Sequence, residues 1–135
     1  MRVFALIALI SMWSGTGMAQ SKKEIRDAGV TKRVVKEIAY EKGFTTPMIE
    51  EENKYDAKGN LTEIKEISSD GKITNWMKYE YDADDNLVTE ITLDTKGKVT
   101  LKVVSVFRDG LKREKLYYNA AGKLVKKKVY EYTLN

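Results

Sequence analysis

Turn-forming residues punctuate this chain at a nearly even interval from residue 59 onward. That spacing limits the possible folds more than any other feature. The turns are Lys58-Gly59-Asn60, Asp70-Gly71-Lys72, Asp84-Asp85-Asn86, Lys96-Gly97-Lys98, Asp109-Gly110 and Ala121-Gly122-Lys123, with centres 12 to 14 residues apart. Gly, Asn and Asp accept the positive φ that tight hairpin turns need. Asp85 stands where neighbouring units have Gly, and takes up that backbone at a higher cost. The runs between turns have strand composition, and short strands at this spacing predict an all-β antiparallel meander of about seven to eight strands.

Pairs of strands recur every 25 or 26 residues. Tyr55, Tyr81, Phe107 and Tyr132 form an aromatic column at that period, and Tyr130-Glu131-Tyr132 repeats Tyr79-Glu80-Tyr81. Ile67, Leu93 and Tyr118 form a second column, and Ile73, Val99 and Leu124 a third. Such self-similarity marks a repeat architecture. Upstream, Val30 to Tyr40 alternates with period two and predicts a strand, broken by Gly43 to Pro47. Apolar residues fall on both faces of the strands. This predicts a twisted or curled sheet, either an open single layer or barrel-like. In the strand from Ile73, Met77, Tyr79 and Tyr81 share one face and Trp76 points to the other.

Three segments follow. Residues 1–19 read as a signal peptide. Arg2 is the positive n-region, Val3 to Ile10 the apolar core, and Gly17-Met18-Ala19 the small-residue cleavage site before Gln20. The apolar run is about half of the roughly 20 residues a spanning helix needs. Residues 20–29 read as a leader with one large apolar residue, Ile25, in a helical turn that ends at Gly29. Residues 30–135 form the β-hairpin repeat domain. The expected location is periplasmic or secreted, with no stable membrane insertion after cleavage.

Cys and His are both absent. Their absence excludes thiol nucleophiles, imidazole bases and Cys- or His-ligated metal centres. Residues 20–135 carry 23 basic and 20 acidic side chains, interspersed in sign. An interspersed surface is not a nucleic-acid footprint, so no nucleic-acid partner is expected. The one dense run, Lys126-Lys127-Lys128, falls in the last strand, where lysines guard an open sheet edge.

Tyr55-Asp56-Ala57-Lys58-Gly59-Asn60-Leu61 and Tyr81-Asp82-Ala83-Asp84-Asp85-Asn86-Leu87 resemble the Tyr-Asp-x-x-Gly-Asn/Arg-Leu signature of YD repeats, the units of Rhs-type and teneurin-type proteins. The stretch from Asp109-Gly110-Leu111 through Ala121-Gly122-Lys123-Leu124 is similar to bacterial MORN-2-type repeats. The resemblance spans residues 48–135 and implies a β-hairpin array in an exported protein. Large Rhs arrays wrap around a toxin. About three units leave no room for one, so encapsulation is not implied. Neither family supplies catalytic residues.

Two groups of residues are candidate sites. Trp76, Tyr79, Tyr81, Tyr130 and Tyr132, together with Tyr117 and Tyr118, can present flat rings to sugars or to a partner's side chains, although tyrosine is also a good cross-strand packer. Asp82, Asp84 and Asp85 have the alternating oxygen spacing of calcium loops, but lack the Gly at the sixth position of the full loop. The competing reading is turn chemistry, in which Asp and Asn bond their own backbone. No cofactor and no catalysis are expected. The sequence therefore predicts an exported bacterial β-repeat protein with a binding or structural role, engaging an envelope protein or polysaccharide through its sheet face. The alternative is a small periplasmic carrier that holds a lipid or other apolar ligand in a curled-sheet cavity.

Overall fold

The computed structural model describes residues 21–135, so the signal peptide expected at residues 1–19 lies outside the described residues. Eight strands follow one another in chain order as an antiparallel meander: β1 (Lys32–Glu37), β2 (Met48–Tyr55), β3 (Leu61–Ile67), β4 (Ile73–Tyr81), β5 (Leu87–Leu93), β6 (Val99–Arg108), β7 (Leu111–Asn119) and β8 (Leu124–Val129). Among the described residues β1 pairs only with β2, and β8 only with β7. The meander is therefore open, and the barrel-like alternative does not form. The chain divides into two compact units, one ending at Asn75 and the other covering residues 76–135.

The first unit begins with helix α1 (Lys22–Asp27). Ser21 caps it, its hydroxyl accepting the Glu24 N–H at 3.2 Å. The chain reverses at Gly29, and the Val30 N–H donates to the Ile25 carbonyl at 3.0 Å. The strand predicted over Val30–Tyr40 is shorter than its alternation implied. Its ladder slips between Val35 and Lys36 and ends at Glu37. The Lys42 N–H then donates to the Ala39 carbonyl and the Gly43 N–H to the Tyr40 carbonyl, both at 3.0 Å. These local bonds form a 3-10 turn over Tyr40–Lys42 in place of further ladder bonds.

In β2, Asn53 lies opposite Arg33 on one side and Ile64 on the other. Ile64 is fully buried, at 0% exposure, and Asn53, Tyr55 and Leu61 are buried with it. This buried face is partly polar. Glu51 Oε1 accepts from Asn53 Nδ2 at 2.6 Å and from Arg33 Nη2 at 3.4 Å. Burial raises the pKa of the Tyr55 phenol. Helix α1 rests against the β2–β3 turn. A Cβ added at Gly59 would fall 2.4 Å from the Lys22 carbonyl oxygen and 3.0 Å from Arg26 Cβ. Only glycine allows so close an approach.

In the second unit, direct cross-strand pairing sets one row of side chains across five strands: Tyr79, Glu90, Val103, Tyr117 and Lys126. Opposed residues of antiparallel strands share a face. Tyr79 and Val103 make the buried part of this row. Lys115 and Glu90 approach to 3.9 Å on the same face. A register shift recurs at the last residue pair before the turn, at Tyr55, Tyr81, Leu93 and Tyr118. Such bulges accompany three-residue and longer hairpin loops that carry a positive-φ residue.

Candidate functional site

The acidic turn between β4 and β5 is built from the inside out by Asp82. Its Oδ1 accepts the backbone N–H groups of Asp84 and Asn86, each at 2.9 Å. Its Oδ2 accepts Asn86 Nδ2 at 3.1 Å. The backbone N–H of Asn86, then its side-chain amide, holds the Asp82 carboxyl below the usual carboxylate range. Asp56 makes the same three bonds in the β2–β3 turn, to Lys58 and Asn60. Asp94 and Asn119 keep the two backbone bonds in the turns before β6 and β8. The alternating oxygens that suggest a calcium loop therefore belong to a turn geometry shared along the chain. Among the described residues, no three acidic side chains cluster closely enough to hold a metal ion. Asp85 takes the positive-φ position, at 62°, that Gly59 and Gly97 occupy elsewhere.

The candidate aromatics are not brought together. Tyr79 is 4% exposed, and its hydroxyl lies 3.5 Å from Met77 Sδ, so it serves packing. Tyr81 is half-buried beside the acidic turn. Trp76 is half-buried and lies over the β5–β6 turn, its indole 3.5 Å from where a Gly97 Cβ would stand. Tyr130 and Tyr132 follow β8. The Tyr130 N–H donates to the Arg113 carbonyl at 2.9 Å, and the Tyr132 hydroxyl donates to the Lys112 carbonyl at 2.7 Å. Tyr132 remains 43% exposed.

Side-chain ammonium and guanidinium groups surround rings of β6, β7 and the tail. Lys126 Nζ lies 4.1 Å from the centroid of Tyr117, with Lys115 at 5.7 Å and Lys128 at 5.9 Å. Lys112 lies between Phe107 and Tyr130, at 5.7 and 5.8 Å, and Arg113 lies 5.4 Å from Tyr132. Each contact within about 6 Å is attractive through the ring quadrupole. The sequence offers Tyr117 among the candidate rings but does not mark it as the centre of this group. The signal was Lys126-x-Lys128, whose period-two spacing puts both lysines on one face, but register alone places them on Tyr117.

Residues 55–99 match the family model of the RHS Repeat. That segment holds both Tyr-Asp turns, and the match supports their resemblance to YD repeats. The match ends at Val99, short of the stretch that resembles MORN-2-type repeats. No curated protein matches the chain. The fold and the match together define a β-repeat protein. Among the described residues, no helix is long and apolar enough to cross a membrane.

Proposed function

We propose that this is an exported bacterial β-repeat protein with a non-catalytic binding role, engaging an envelope protein or polysaccharide through its sheet surface. One observation carries the reading. In the second unit, exposed and half-exposed rings alternate with Lys and Arg, as around Tyr117 and Tyr132. Rings stack on sugar faces or apolar side chains, and the cations complement carboxylated or phosphorylated polymers. Tyr132 and Trp76 are the rings best placed to add contacts. Tyr79 is withdrawn from the surface.

Pull-down from envelope extract followed by mass spectrometry, with affinity electrophoresis in acidic polysaccharide gels, tests the reading. Retention in either is the expected result. Paired Tyr132→Ala and Trp76→Ala substitutions that leave fold and retention unchanged would overturn the aromatic-surface version. Export is tested separately by N-terminal sequencing of the expressed protein, where cleavage after Ala19 is expected.

A second reading, a small carrier of an apolar ligand, is supported by an open surface cleft in the first unit, lined by Phe44, Pro47, Met48, Ile49 and Ile67. Displacement of a lipophilic fluorescent probe that is lost in Phe44→Asp would favour the carrier. No probe uptake would discard it.

A further inference from the structure

Among the described residues, strand β8 is the last strand of the sheet, no strand pairs with it beyond β7, and all six of its residues are exposed. Val125 and Val129 are 56% and 62% exposed. In an antiparallel strand, successive residues direct their backbone N–H and C=O groups to opposite sides. The Tyr130 N–H donates to Arg113 of β7. Alternation then turns the N–H and C=O groups of Lys127 and Val129 away from β7, toward the open edge.

The charge pattern of this edge has a counterpart inside the molecule. β1 is also basic, with Lys32, Arg33 and Lys36, and it is covered by β2, which carries Glu50-Glu51-Glu52. Arg33 reaches Glu51 across that pairing. The same basic-to-acidic pairing recurs at Lys54–Glu63, 3.1 Å, and Lys127–Glu114, 2.9 Å. β8 has Lys126-Lys127-Lys128 flanked by valines, and no acidic strand on its outer side. A second copy is a poor occupant, because β8 against β8 sets lysine beside lysine, and β1 is basic too. Like charges directly opposite destabilise a strand pair.

We propose that β8 is a docking edge for an acidic extended segment of a partner protein. The segment carries consecutive carboxylates flanked by apolar residues, and adds antiparallel to β8 as a further strand. Main-chain bonds to Lys127 and Val129 supply affinity, and carboxylates opposite Lys126, Lys127 and Lys128 supply register and specificity. This differs from the face-binding reading, since it uses backbone groups that Trp76 and Tyr132 do not supply.

The test uses a synthetic peptide with the sequence of residues 48–55, end-blocked, as an acidic strand probe. Amide hydrogen exchange is followed by NMR on the full chain. Binding is expected to slow exchange at Lys127 and Val129 by about 10-fold or more, because their amides become ladder-bonded, while the already bonded Tyr130 amide changes little. Lys126→Glu with Lys128→Glu should weaken peptide binding about 10-fold or more, with Val103 protection unchanged as the folding control. Equal binding by the peptide N-methylated at alternate residues would overturn strand addition, since methylation removes the backbone donors and keeps the charge. Equal protection by polygalacturonate would reassign the edge to general polyanion binding and overturn the proposal. So would an absence of protection at Lys127 and Val129.

Discussion

Asp82 and Asn86 are joined by three hydrogen bonds. The Asn86 N–H and side-chain amide donate to the two Asp82 carboxylate oxygens at 2.9 and 3.1 Å, and the Asp82 N–H donates to the Asn86 carbonyl at 3.0 Å. Two of these bonds need no charge, because in the last hairpin turn the Lys123 N–H donates to neutral Asn119 Oδ1 and the Asn119 N–H donates to the Lys123 carbonyl. The pairing therefore separates the shape of the turn from its response to pH.

The Asp82 pKa is lowered in the folded chain by the Asn86 N–H first and its side-chain amide second. A folded pKa below the unfolded value means stabilisation that is complete above the unfolded pKa, about 3.9, and is lost as pH falls through the folded value. Asp82→Asn keeps the Oδ1 acceptor and removes the titration. Its Tm should fall less steeply with acidification than that of the parent chain. Thermal melts from neutral pH down into the carboxylate range check this, and parallel slopes would refute it.

Gly59 and Gly71 share a left-handed backbone, φ 84° and 83°, but differ in surroundings. A Cβ at Gly71 meets nothing within 4 Å, whereas one at Gly59 collides with α1. Gly71→Ala should cost only the backbone strain, about 1–2 kcal/mol. Gly59→Ala should cost distinctly more and release α1. Urea denaturation measures the first difference, and exchange of the Ala28 amide, bonded to the Glu24 carbonyl, measures the second.

Asp85 holds φ 62° without being glycine. Asp85→Gly relieves that strain in a turn already fixed by Asp82. A stability gain of about 0.5–1 kcal/mol is expected, the strain relief being partly offset by the greater unfolded freedom of glycine. The midpoint of urea unfolding should rise with its slope unchanged.

Ile64 is fully buried between β2 and its own neighbours, whereas Val125 is mostly exposed on β8. Ile64→Ala should cost about 2–5 kcal/mol through lost burial and the cavity left behind. Val125→Ala should stay within about 0.5 kcal/mol. Comparable losses at the two positions, read from urea unfolding, would contradict the burial assigned to Ile64.

The turns were the most legible part of the sequence. Asp109 and Gly110 both have positive φ, 54° and 74°, as a two-residue hairpin turn requires, and Asp85 substitutes for Gly as its position implies. These are local backbone preferences, and a few consecutive residues specify them. The aromatic column was legible as a column but not as a set of environments. Tyr55 is buried, Tyr81 half-buried and Tyr132 exposed. Tyr55 ends a strand paired on both sides, whereas Tyr132 lies beyond Val129, the last residue of β8. The helical turn expected before Gly29 forms as α1, but nothing local announces that this helix seats on Gly59.

By itself the sequence determined the antiparallel meander, its repeat length and its turn geometry, since each follows from φ preferences and period-two patterning within a single hairpin. The tertiary structure decided which residues those hairpins expose. It put Tyr79 inside and Asp82 into its own turn, gathered Lys115, Lys126 and Lys128 around Tyr117, and, among the described residues, left one edge of β8 without a paired strand. Burial and charge pairing depend on which strand lies opposite and in what register. Strand periodicity leaves that register open, and turn geometry sets it together with the bulges at Tyr55, Tyr81, Leu93 and Tyr118.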